Sequence, residues 1–341
     1  TRKAKWIIDK LEADRSSKEP DWPNLSSLIE IIDPVGYREK AEKLIIETHD
    51  QEYVDALVTG NPRKLSESQG FEWDPGIWEM SVNSTAGIIA AVHHVTETAG
   101  QGETVNAGSL SSGLHHARSH RGSGYCTVNG LAIGALAARD IFLKSSQPGS
   151  VVVLDVDAHC GGGTHSFIGQ SEQILHLDLS VNAFDSYEPM NGNNLTVLNS
   201  PSGKEYLSNL SDLFEKIPSD TKLLLYNAGM DPYPTVGQSL LERREDLVST
   251  WCEELGIPVV FVLAGGYLGA FSKSELVAAH MYTIKAFSSN QLFYPPRVTR
   301  NRDLPIEHLM LYREKSVPTP EELFNQFRSR LDQHVPDLEV K

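Results

Sequence analysis

Residues 151–164 read "VVVLDVDAHCGGGT". Four β-branched or leucine side chains come first without a polar break, and two aspartates, a histidine and three glycines follow almost at once. A strand that is apolar at every position, not every second one, is covered on both faces, as in a parallel sheet flanked by helices. Three more runs have this character: "QILHLDLS" (173–180), "KLLLYNAG" (222–229) and "IPVVFVLAGG" (257–266). Before and between them, residues 81–100, 129–146, 205–217 and 241–256 carry apolar side chains at three- and four-residue spacing, the pattern of amphipathic helices. Alternating strand and helix implies an α/β fold built on a parallel sheet.

The rest of the chain fits one domain over residues 1–341. No internal repeat or linker divides it. Thr319, Pro320 and Glu322 form a helix-start signature, and Leu323, Phe327 and Leu331 make one apolar stripe, so a C-terminal helix over 319–335 is expected to dock on the body. The opening "TRKAKWIIDKLEAD" reads as a helix that begins inside the original gene product. Residues 100–124 and 182–204 are long glycine-rich segments, expected to be functional loops. A net charge of −15 argues against a nucleic-acid surface. It says little about acylated lysine, which has lost its charge. No apolar stretch reaches the roughly 18–20 residues that span a bilayer, and no signal-peptide core is present. Three scattered cysteines without a CxxC pair fit a reducing compartment, so a cytoplasmic location is expected.

Ligands of open parallel sheets bind beyond the carboxyl ends of the strands. Asp157 and His159 lie two residues apart in an extended segment and therefore face one side. Asp231, in "NAGMD", and Tyr267, in "AGGY", follow two other strands. Two carboxylates and an imidazole make a three-ligand zinc site with an open fourth position, the catalytic pattern. The competing reading is a polar strand end with purely structural hydrogen bonds. In "GLHHARSHRGSGY" (113–125), glycines allow a turn that presents both His115 and His116 as proton carriers. His93 and His94, inside a helix, read as structural, and His120 and His165 as loop residues.

The motifs "HDQEYVDAL" (49–57), "GLHHARSHRGSGYCTVNG" (113–130), "VVVLDVDAHCGGGT" (151–164), "LYNAGMD" (225–231) and "VLAGGY" (262–267) together resemble the zinc-dependent histone deacetylase family, with its acetylpolyamine amidohydrolase relatives. "YNAGMD", and "DAH" in place of the commoner "DxHH", are most similar to the class IV branch. The resemblance implies an arginase–deacetylase fold with a central parallel sheet of about eight strands. It implies one zinc ion per chain held by Asp157, His159 and Asp231, with His115 and His116 as acid and base. Tyr267 would supply the transition-state hydroxyl, and Asp155 the carboxylate behind the first histidine. Gly124 and Tyr125 would wall the acyl tunnel. A structural potassium or sodium ion would sit among Asp155, Asp157, His159, Asp178 and Leu179; Asp178 as an ordinary polar strand residue is the alternative. Asp74, in "EWDPGIW", is a candidate rim carboxylate, with Trp73, Trp78 or Tyr187 at the entrance, although aromatics before a helix also simply pack.

The implied reaction is hydrolysis of an N-acyl group from an amine: an acylated lysine, a polyamine or another small N-acyl amine. A member with a decayed site that binds acylated partners as a scaffold is the alternative. Two letters depart from the family's "HHGDG". Cys160 replaces the second histidine and is expected to be a small buried residue. Gly162 stands where a carboxylate or amide orients the second catalytic histidine, so His116 is expected to lack that partner and to have a lowered pKa. The further aspartates of a binuclear arginase site are missing.

Overall fold

A computed structural model describes residues 2–17, 25–99, 105–146 and 148–288. The expected helix over 319–335 lies outside them. Six strands form one sheet: β1 (Ala107–Ser109), β2 (Val151–Asp155), β3 (Ile174–Ser180), β4 (Asn194–Val197), β5 (Leu223–Gly229) and β6 (Val259–Ala264). Their spatial order is β1-β6-β5-β2-β3-β4, and every pairing is parallel. The sheet of about eight strands expected from the resemblance is thus six-stranded among the described residues. β1 and β4 lie within the two segments read as loops.

The unbroken apolar runs are explained by what covers each face. Val151, Val153, Leu223, Leu225, Val260 and Val262 pack on one side against the helices Ile77–Ala99 and Gly130–Lys144. Val152, Leu154, Leu224, Tyr226 and Leu263 point the other way, into a core completed by Lys3–Ser16, Gly203–Phe214, Gln238–Leu255 and Lys273–Ser288. Each buried valine or leucine adds about 1.5–3 kcal/mol of transfer free energy, so losing either layer would expose half of every central strand. A third cluster around Tyr53, Leu57 and Ile89 packs Arg38–Thr48 and Gln51–Thr59 outside the first helical layer. No helix among the described residues is long and apolar enough to cross a membrane.

β1 exists because of one glycine. Gly108 lies across the ladder from Phe261, and a Cβ at this position would stand 2.1 Å from that ring.

Candidate active site

The carboxyl ends of β2 and β5 are locked together before any functional side chain is placed. Arg244, fully buried on Gln238–Leu255, donates to the Val156 carbonyl at 3.2 Å and to the Gly229 carbonyl at 2.7 Å. Its charge is matched by Glu245, 2.6 Å away. Gly229 allows the close approach, since a Cβ there would lie 2.4 Å from the Asp157 Cα. The Ala158 N–H then donates to Asp231 Oδ1 at 3.0 Å. His159 Nδ1 ends 3.2 Å from Asp157 Oδ1 and 3.3 Å from Asp231 Oδ2.

These three side chains offer ligand atoms that all lie within 4.8 Å of one another. Asp231 Oδ2 is buried without a hydrogen-bond partner. Burial and the neighbouring Asp157 push the Asp231 carboxyl up from its usual range. The two carboxylates raise His159 to about 10. Crowded carboxylates beside one imidazole, with an oxygen left over, call for a cation, and the donor set suits zinc.

Both histidines of the "HH" pair face this cluster. Leu114 adopts φ 56°, a tight turn that brings the two rings to 3.9 Å between centroids. Asn129 fixes that turn: its Nδ2 donates to the carbonyls of His115 (3.1 Å) and Ala117 (3.0 Å), while its Oδ1 caps Gly130–Lys144 through the Ala132 N–H. His115 Nδ1 donates to Asp155 Oδ2 at 2.7 Å, and Asp155 Oδ1 accepts from Asn227 Nδ2 at 2.7 Å. Burial alone would depress His115, but Asp155 and Asp157 outweigh it and raise the imidazole to about 10.

The expectation that His116 lacks a carboxylate is overturned. Asp185, from the segment between β3 and β4, places Oδ2 3.0 Å from His116 Nδ1, and Arg118 holds its other oxygen at 2.6 Å. The His116 pKa is lowered as expected, but for a different reason: burial first, then the charge of His115.

Tyr267 follows Gly265 and Gly266, which adopt φ +56° and +74°. A Cβ at Gly265 would lie 2.5 Å from Asp231 Oδ1, so the tyrosine's loop runs directly along the ligand set. Lys3 holds that loop from beneath, donating to the Leu263 carbonyl at 2.8 Å and the Gly265 carbonyl at 3.0 Å. The Tyr267 side chain is about half exposed, and partial burial with the charge of Asp231 pushes its hydroxyl up, keeping it protonated and able to donate.

Gly124 (φ +50°) lies flat on His116, where a Cβ would approach its Cδ2 to 2.4 Å, and next to it Tyr125 is largely exposed. Phe184 faces the same place, with its ring edge-on to His116 at 5.0 Å and to His159 at 6.0 Å. In the ladder Asp178 pairs with Asp155, and Leu179 follows it in β3. Asp178 accepts from the Gly161 N–H at 2.7 Å and from Ser180 Oγ at 2.6 Å, and burial beside Asp155 pushes it up to about 8. Cys160 is buried with its Sγ directed at the Asn182 carbonyl, 3.4 Å away.

The remaining candidates have partners of their own. The exposed Asp74 is turned back on its own chain, accepting from the Gly76 N–H at 2.7 Å. Trp73 donates to the Leu57 carbonyl and Trp78 to Glu42, both packing roles. Tyr187 stacks on His165 at 4.1 Å and bonds His176. His165 belongs to the helix Gly162–Ile168 and not to a loop; His120 is exposed. Sequence reasoning missed Asp185, Arg118, Phe184, Asn227, Asn129 and Lys3. Only Asn227, in the strand-end "YNAG", and Asn129, before a helix, carried a local signal.

The chain is similar to known proteins in sequence and in fold. A Picosynechococcus protein is 29% identical over 247 residues, covering 68% of this chain and 77% of its own length. Histone deacetylase 2 of Arabidopsis thaliana is 28% identical over 196 residues, 53% of this chain and 48% of that protein, so the chain spans about half of this relative. Among solved structures, the crystal structure of acetylpolyamine aminohydrolase from Burkholderia pseudomallei superposes with a TM-score of 0.60 at 19% identity, over 85% of this chain and 90% of that one. At such identity the likeness is one of fold. A family model, the histone deacetylase domain, matches residues 2–284, and by that match the chain belongs to the histone deacetylase family.

Proposed function

We propose that this chain is a zinc-dependent amidohydrolase that removes an acyl group from an amine, the amine being a lysine side chain, a polyamine or another small molecule. One observation carries the reading: the Asp157, His159 and Asp231 ligand atoms gather within 4.8 Å, and His115, His116 and Asp157 form a second such group. Zinc held by the three strand-end side chains supplies a Lewis acid for the amide carbonyl and lowers the pKa of water toward roughly 7.

The remaining work falls to the chain itself. His116, kept neutral by burial, takes the water's proton at Nε2, because its Nδ1 is committed to Asp185. His115, backed by Asp155, holds the proton that leaves with the amine. Tyr267 donates to the oxyanion of the tetrahedral intermediate. Gly124, Tyr125 and Phe184 line the approach and shed water from an apolar acyl chain. A monovalent cation beside Asp155 and Asp178 belongs to the same reading, since two buried carboxyl groups occupy partner positions of the ladder there. The scaffold alternative rested on a decayed partner for His116, and Asp185 removes that ground.

Elemental analysis, combined with turnover of acetyl-lysine and trifluoroacetyl-lysine peptides and acetylated polyamines, tests the proposal. Turnover of at least one is expected, and Tyr267→Phe should lower kcat by about 100- to 1,000-fold. Bound zinc with no turnover on any acyl group would favour a binding protein instead.

A further inference from the structure

The segment between β3 and β4 places two different jobs on adjacent residues. Phe184 stands half exposed, edge-on to His116 and His159. Asp185, next in the chain, turns inward at φ 61° and delivers its carboxylate to the back of the same His116 ring. Four contacts fix this pair. The Gly163 N–H donates to Asp185 Oδ2 at 3.0 Å, and Arg118 Nη2 pairs with Oδ1 at 2.6 Å. The Cys160 N–H donates to the Phe184 carbonyl at 3.0 Å, and the Phe184 N–H to Asn182 Oδ1 at 2.8 Å. Room for the carboxylate exists because residue 162 has no side chain: a Cβ at Gly162 would lie 2.2 Å from the Asp185 carbonyl oxygen and 2.8 Å from its Oδ1.

We propose that Asp185 is the positioning residue for His116, and that its bond to Phe184 makes the tunnel wall and the setting of the base a single unit. A carboxylate accepting from Nδ1–H fixes the imidazole tautomer and leaves the lone pair on Nε2, facing the reaction centre. Arg118 keeps that carboxylate ionised and correctly turned. Because Phe184 and Asp185 are adjacent and the Cys160 N–H holds the carbonyl that joins them, a displacement of Phe184 by a badly seated acyl chain is passed to Asp185 and so to the ring. Poor fit is then read in kcat as well as in KM, so the loop ties specificity to the chemical step. Gly162 and Asp185 are matched residues: a side chain at the first would evict the second.

This inference rests on the proposed deacylation, and the test separates the two. The zinc-loaded full chain, labelled with 15N-histidine, is assayed on the best acyl-lysine peptide, and the His116 tautomer is read by NMR. Asp185→Asn should lower kcat about 10- to 100-fold with KM little changed. It should also move His116 from the Nδ1–H form to a mixture or to Nε2–H. Asp185→Glu should recover part of both, and Arg118→Met should fall between. Phe184→Ala should raise KM, lower kcat and mix the tautomer. Unaltered kcat and tautomer in Asp185→Asn would overturn the positioning role. A Phe184→Ala variant changed only in KM would overturn the coupling. Zinc content and thermal midpoint are measured on each variant, so that a folding defect is not read as a kinetic one. Should the wild type turn over nothing, the deacylase reading fails, yet the tautomer measurement still decides what Asp185 does.

Discussion

His49 illustrates what a buried imidazole does at the scale of one residue. It lies in the core, with Nδ1 against the Ile45 carbonyl at 3.2 Å and its ring 5.3 Å from Phe167. Burial holds it down to about 4, so it is neutral in the folded chain at neutral pH. Below about 6.5 the unfolded chain binds a proton here that the folded chain refuses until about 4. Stability from His49 is therefore fully present above about 6.5 and is lost as pH falls toward 4. Urea denaturation of wild type and His49→Gln should show a stability difference that is flat above neutrality and shrinks through that window. A difference independent of pH would contradict the assignment. The histidine of "HDQEYVDAL" thus serves the core and accepts from the Asn129 backbone N–H.

At the scale of elements, the four apolar runs are legible because they carry their own signal, and each appears within two residues of its expected bounds. β1 and β4 carry none. "AGS" and "NLTV" are short edge strands whose formation depends on a partner, β6 and β3 respectively. Nothing in their own letters reports that partner. Strand propensity alone would favour valine at Gly108. The ring of Phe261 forbids it. Gly108→Val should lose about 1–3 kcal/mol of stability through overpacking, read as a lowered midpoint in thermal or urea unfolding; an unchanged midpoint would mean that β1 is dispensable.

For the molecule as a whole, the candidate site divides along the same line. The clustering of Asp157, His159, Asp231 and the histidine pair was legible because strand ends of a parallel sheet converge and fixed spacing marks them. Asp185 and Lys3 were not, because they reach the site from remote segments with no spacing relation to it; Arg118 stands two residues beyond His116, but its part depends on its ion pair with the remote Asp185. An ion bound by the side chains that follow β2 and β5 would stabilise only the folded chain, so a chelator should lower the unfolding midpoint. Zinc restored to 100 times its dissociation constant should return about 2.7 kcal/mol. If chelation left the midpoint unmoved, the three side chains would not be holding a metal.

The lock between the Ala158 N–H and Asp231 spans 73 positions of chain, and this has a consequence for biosynthesis. A ribosome adding about 5–20 residues per second releases Asp157 and His159 several seconds before their third companion. During that interval the nascent chain would present two of the three proposed ligands beside other thiols and histidines able to bind the same ion. Sheet order defers completion further, since β5 must slide in beside β2 before the pocket closes. Loading of the proposed ion would thus be a late event in the life of the polypeptide, timed by topology.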